Sequence, residues 1–195
     1  MTLIVNLLSA PGSGKSTMAS HLFSLLKYKG VNCELINEFA KEKTWENNST
    51  ALSDQFYITA CQHYKQHILI GKVDVIITDS PIILGLFYYK DQVLINPLYD
   101  TNKLYKELVL AIFHQQNNMN YFVNRDKPYN PNGRNQTEEQ AKELDRTIKE
   151  YLDKHFIHYT NVIGVEEDIE IIRDEILGKL DWLKTWKDPR NKNEN

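Results

Sequence analysis

A glycine-bearing turn between an apolar run and a helical segment constrains this chain more than any other feature. Leu3 to Leu8 reads as a buried strand, and Lys15 to Tyr28 as a helix with Met18, Leu22, Leu25 and Leu26 along one side. Between them runs Ser9-Ala10-Pro11-Gly12-Ser13-Gly14-Lys15-Ser16. Glycines let the backbone curl so that successive N–H groups point inward, and the helix N-terminus adds a favourable dipole. The layout predicts a phosphate-binding loop from Ser9 to Thr17 that takes ATP with Mg²⁺. Pro11, Gly12, Ser13, Gly14, Lys15, Ser16 and Thr17 form the expected nucleotide-binding set. Lys15 is placed to reach the β- and γ-phosphates, and the Ser16 hydroxyl to coordinate Mg²⁺. Ser9 stands where glycine is usual, and it is small enough to keep the loop.

The rest of the chain alternates short apolar runs with longer amphipathic segments. Strands are expected at Val31–Ile36, Val73–Thr78, Asn120–Val123 and Tyr159–Ile163. Helices are expected over about Ala51–Ile70, Ile82–Tyr89 and Asn102–Gln116. Lys41 to Thr50 reads as an irregular polar stretch, and Arg125 to Thr137, with Pro128, Pro131 and Gly133, as a loop. Thr137-Glu138-Glu139-Gln140 has capping-box form ahead of a helix carrying Ala141, Leu144, Ile148 and Leu152 on one face. A last helix presents Ile169, Ile172, Ile176, Leu180 and Leu183. The alternation predicts a three-layer α/β domain with a mainly parallel sheet and ligands at the carboxyl ends of the strands. One domain, residues 1–186, is expected, with a lid at about 125–137 and a polar tail at 187–195.

A net charge of -3 argues against strong non-specific nucleic-acid binding. Two cysteines, Cys33 and Cys61, point to a reducing compartment. Leu3–Leu8 lacks a basic leader and is too short to span a bilayer, so no membrane association is expected. The expectation is a cytoplasmic protein. Oligomeric state is left open.

Further candidate chemistry follows from position. Asp79, in Thr78-Asp79-Ser80-Pro81, ends the most apolar strand after the first. A carboxylate there faces the phosphate loop, where it holds a Mg²⁺-bound water, accepts a proton, or merely caps a turn. Glu38 follows the second strand and is either an acceptor-binding base or a solvated carboxylate near Lys41 and Lys43. Arg125, Lys127 and Arg134 flank the loop before Thr137, as a basic lid over ATP or as surface charge, with Arg146 a weaker member. Gln55, Thr59, Gln62 and Gln66 form a polar helical stripe beside Leu52, Phe56, Ala60 and Tyr64. That stripe reads as an exposed face, or as base-binding if it borders the pocket. Trp45, Tyr88 and Tyr89 are read as base-stacking or core, and His63 and His67 as solvated rather than metal-bound.

Together, Ser9–Thr17, Glu38-Phe39-Ala40-Lys41, Asp54-Gln55-Phe56 with Gln62, Thr78-Asp79-Ser80-Pro81, and Arg125-Asp126-Lys127-Pro128 through Gly133-Arg134 resemble the small phage-type P-loop kinases. Wider relatives are nicotinamide riboside kinases, deoxynucleoside and nucleotide kinases, and phage polynucleotide kinase. The resemblance runs from Leu3 to about Leu177. It implies a P-loop fold with a five-stranded sheet in the order 2-3-1-4-5 and a lid before the helix near Glu138. It also implies γ-phosphoryl transfer from ATP to a nucleoside, nucleotide or DNA acceptor, including hydroxymethylated pyrimidines in DNA. The host cytoplasm is the expected location if the chain is phage-encoded. On this reading Lys15, Asp79, Glu38, Arg125 and Arg134 are catalytic, Lys127 joins the nucleotide-binding set, and Ser16 and Asp79 hold the metal.

Three other classes compete, among them an ATP-binding module without catalysis that acts through a partner, which intact Lys15, Ser16 and Asp79 disfavour. A regulatory GTPase needs Asn-Lys-x-Asp, which Asn124-Arg125-Asp126-Lys127 scrambles, and a glycine where Ile82 stands. A P-loop ATPase coupled to a protein or nucleic-acid partner commonly has glutamate after the strand-end aspartate, and here Ser80 follows Asp79. It remains the alternative function.

Overall fold

The computed structural model describes residues 1–90, 98–126 and 137–185. β1 (Leu3–Leu8) is buried at every position. It lies between β3 (Val75–Thr78) and β4 (Asn117–Val123), while β2 (Cys33–Ile36) and β5 (Thr160–Val162) form the edges. Among the described residues the sheet has five strands in the order β2-β3-β1-β4-β5, and every pairing is parallel. A parallel sheet needs both faces covered, which explains why β1 and β3 read as nearly unbroken apolar runs.

Two helical layers supply the cover. Leu3, Val5 and Leu7 point to one face, against Leu22 and Leu26 of α1 (Lys15–Tyr28) and Ile172 and Ile176 of α8 (Glu166–Thr185). On the other face, Leu8 and Phe122 meet Tyr105, Val109 and Phe113 of α6 (Thr101–His114) and Ile148 and Leu152 of α7 (Glu138–Lys154). Each such side chain, fully buried, contributes about 1.5–3 kcal/mol from water exclusion. α7 starts with the expected capping box: Thr137 Oγ1 accepts from Gln140 N, and Gln140 Oε1 accepts from Thr137 N. Thr137→Ala is expected to cost about 1 kcal/mol. A thermal unfolding scan should register this as a drop of about 2–4 °C.

Three local expectations are corrected. The stretch from Lys41 to Thr50 is not irregular: α2 (Phe39–Trp45) and α3 (Ser49–Ser53) occupy most of it. Tertiary contacts outweigh its weak periodicity, with Phe39 edge-on to Tyr57 and the Lys43 and Lys65 ammonium groups over its ring. The single helix expected from Ala51 to Ile70 divides at Asp54, whose extended backbone and side chain cap α4 (Gln55–His67) through Tyr57 N. β4 begins at Asn117 rather than Asn120. Its asparagines are tolerable in a strand because Asn6 Nδ2, on β1, donates to Asn118 Oδ1 at 2.8 Å and Asn120 Oδ1 at 2.9 Å.

The expected helix at Ile82–Tyr89 is a 3₁₀ turn, Ile82–Leu84, followed by α5 (Gly85–Tyr88). Lys127, Arg134 and most of the expected lid, together with the expected tail at 187–195, lie outside the described residues. No helix among the described residues is long and apolar enough to cross a membrane.

Candidate active site

Parallel strands end at one edge, so the loops that follow them converge there. Thr78 is in register with both Asn6 and Ile36, which brings the loops after β1, β2 and β3 to a common rim. This is where an open parallel sheet gathers ligand-binding residues. Ser9–Gly14, Glu38 and Asp79 occupy it.

Gly12 and Gly14 have φ of 90° and 100°, a left-handed backbone that a side chain would strain. Gly14 is the N-cap of α1 and provides no side-chain cap, and the first turn of α1 carries no acidic residue. Its first amides therefore remain directed at an anion. The serine in place of glycine adds a tie: Ser9 Oγ and Ser13 Oγ, both buried, share a hydrogen bond of 2.5 Å.

Lys15 Nζ donates to Ser9 O at 2.8 Å and Ala10 O at 2.9 Å, so the ammonium is held across the loop. Burial pushes it below the ordinary lysine value, against the raising effect of Glu38, Asp79 and Asp145, while the Arg125 charge adds to the lowering. Ser16 Oγ donates to Asp79 Oδ2 at 2.5 Å. Asp79 is 4% exposed, and its Oδ1 is buried with no hydrogen-bond partner among the described residues. An uncompensated carboxylate oxygen beside a hydroxyl is a hard oxygen set of the kind that holds a small divalent cation or its water. The donors present fit Mg²⁺.

A cavity of about 510 Å³ opens from the phosphate loop and continues past Glu38 to Gln55, Thr59 and Gln62 on α4 and to Gly85. α4 inverts the usual pattern. Its glutamines face inward, with Gln62 and Gln66 buried, whereas Phe56 is 41% and Tyr64 63% exposed. Gln62 Oε1 accepts from Phe39 N at 3.0 Å, satisfying the first amide of α2. Its Nε2 is buried without a partner among the described residues. Thr59 Oγ1 and Tyr105 OH share a 2.7 Å hydrogen bond at the same wall, and Tyr89 stacks on Tyr105. Tyr88 lines the cavity, and Trp45 lies exposed on α2.

Other expected residues fall elsewhere. Arg146 pairs with Glu143 and Glu150 on the exposed face of α7. The His63 and His67 rings are 5.7 Å apart, and no group of three metal-binding side chains occurs among the described residues. Arg125 Nε donates to Asp145 Oδ2 at 2.6 Å, and Asp145 Oδ1 accepts from Ala10 N at 2.6 Å. Asp145 was not among the expected residues. Its one signal is a charge on the buried stripe of α7, between Ala141 and Ile148.

Comparison with known proteins bears on the family and the fold. The AAA domain family matches residues 5–168. Among solved structures, the deoxyadenosine kinase from M. mycoides with bound dATP is similar with a TM-score of 0.50 and 16% identity, over 92% of this chain and 100% of that one. At that identity the likeness is one of fold. The protein APE1195 is similar at a TM-score of 0.43 and 14% identity, over 92% of this chain and 97% of that one. No curated protein matches the chain.

Proposed function

The chain belongs to the AAA domain family, and from that premise we propose that it is an ATP- and Mg²⁺-dependent kinase acting on a nucleoside-type acceptor. The observation that carries this reading is the cavity itself. It extends beyond the phosphate loop to a polar wall of Gln55, Thr59 and Gln62, where the Gln62 amide nitrogen is a buried donor in want of an acceptor. Water as the acceptor requires no such wall. A nucleobase, which presents carbonyl and ring-nitrogen acceptors along its edge, fits it.

The loop amides and Lys15 bind the β- and γ-phosphates, and Ser16 with Asp79 holds the metal, which supplies charge neutralisation at the phosphates. Glu38, which lines the cavity between the phosphate loop and the α4 wall, is assigned as the base, and Asp79 is assigned to the metal. The acceptor O–H gives its proton to the Glu38 carboxylate as its oxygen bonds to the γ-phosphorus. The bond from that phosphorus to the β–γ bridging oxygen breaks, and ADP leaves with the electron pair. Arg125 neutralises charge from the loop side. Positioning and electrostatics account for most of the acceleration.

Gly85 offers a selective check on the acceptor wall. A Cβ there would lie 2.7 Å from Thr59 Oγ1 and 2.8 Å from Tyr105 OH. Gly85→Ala should therefore raise the acceptor KM about tenfold through overpacking. ATP binding, measured by calorimetry, should stay unchanged.

The family description also favours a second reading, an ATPase coupled to a partner. Ser80, where hydrolytic motors commonly carry glutamate, weighs against it. The test is γ-labelled ATP with Mg²⁺ offered to free nucleosides, nucleotides, nicotinamide riboside, DNA ends and DNA carrying hydroxymethylated pyrimidines. Label on a nucleoside-type acceptor supports the proposal. Label on none, with phosphate released, supports the ATPase.

A further inference from the structure

We propose that Asp145 is a positioning residue of this site, locking Arg125 and the phosphate loop into one register through the two oxygens of a single carboxylate. The proposal rests on the kinase reading for the identity of the transfer step. It rests on the geometry alone for the coupling.

Asp145 sits mid-helix on α7, where aspartate is a poor helix former and a carboxylate is costly to bury unless paired. The cost is offset at both oxygens. Oδ1 accepts from the Ala10 amide at the base of the phosphate loop, and Oδ2 from Arg125 Nε, both at 2.6 Å. The side chains of Arg125 and Asp145 are only 13% and 15% exposed, so water screens the pair weakly. Arg125 lies two residues beyond β4, and Ala10 two residues beyond β1. One carboxylate from α7 thus fixes the spacing between the two loops.

The arrangement is more than a structural tie, for two reasons. Arg125 Nη2 is buried and has no partner among the described residues, so Asp145 holds the guanidinium by Nε and leaves part of its fork unused. An anionic oxygen of the nucleotide is the group that such a fork fits. Asp145 and Arg125 also act on Lys15 with opposite sign. Pairing them keeps the second cation from adding its full charge beside the first.

The test is Asp145→Asn, which keeps an oxygen for the Ala10 amide but removes the charge from Arg125. ATP should bind about as tightly as to wild type or tighter, because a negative charge near the phosphates is gone. Turnover should fall about 10–100-fold, because Arg125 is no longer aimed. Thermal stability should fall, because the buried Arg125 guanidinium loses its counter-charge. Asp145→Asn in an Arg125→Gln background should lower turnover no further than Arg125→Gln alone, since both act as one unit. Wild-type turnover in Asp145→Asn, additive losses in the double variant, or a loss of turnover matched by an equal loss of ATP affinity would each overturn the proposal.

If Asp145→Asn does not fold, Asp145→Glu takes its place. It keeps the charge but moves it by one methylene, and wild-type turnover in that variant overturns the proposal too. ATP binding is measured without any acceptor. If wild-type protein phosphorylates no acceptor, the kinase reading fails while the coupling is still judged on ATP hydrolysis.

Discussion

Replacing Lys15 with alanine should lower phosphoryl transfer by about 10²–10³-fold while the fold persists. The two halves of this expectation have separate causes. Lys15 is the cation of the phosphate loop, set among Glu38, Asp79 and Asp145, and in the proposed transfer its ammonium meets the charge that develops at the γ-phosphate. For stability, Lys15 is a burden as much as a support. Burial disfavours its charge, and its strong hydrogen bonds go to the carbonyls of Ser9 and Ala10 rather than into the apolar core. Circular dichroism and a melting curve should therefore match wild type within a few degrees. An unfolded variant, or one with undiminished transfer, contradicts this account of the loop.

The second large effect is expected at Asp79. Asp79→Asn keeps the shape but gives up the carboxylate whose Oδ1 is buried and unpartnered. Metal affinity or activity should fall about 10–100-fold, as for other residues that orient a metal or its water. The diagnostic readout is a Mg²⁺ titration of nucleotide binding, whose midpoint should move to higher concentration. A neutral amide is cheaper to bury than a carboxylate with one unpartnered oxygen, so melting should stay level or rise. An unchanged Mg²⁺ midpoint would reduce Asp79 to a cap on the turn at Pro81.

The phosphate loop was legible because its chemistry is local. Gly12, Gly14, Lys15 and Ser16 sit within five residues, flanked by a strand and a helix that the apolar pattern reveals. Asp79 was legible for a similar reason, as the polar end of an apolar strand. The inward turn of Gln62 was not, because composition alone makes a glutamine stripe look solvated. What turns it inward is a partner 23 residues earlier, the Phe39 amide, and the aromatic side of α4 is left outside.

Asp145 was harder still. Its contacts span 135 residues to Ala10 and 20 to Arg125, and no local motif records them. The helix at Phe39–Trp45 was missed because Phe39 draws on Tyr57 and Lys65 of α4, outside its own segment, as well as on Lys43 within it.

The central claim is that the γ-phosphoryl group goes to an acceptor rather than to water. The direct measurement is a mass balance in one vessel: ATP consumed, acceptor phosphorylated and phosphate released, with and without a nucleoside acceptor. The account predicts one phosphorylated acceptor per ATP consumed, and little consumption when the acceptor is withheld. ATP consumption that is independent of the acceptor and matched by free phosphate would contradict it.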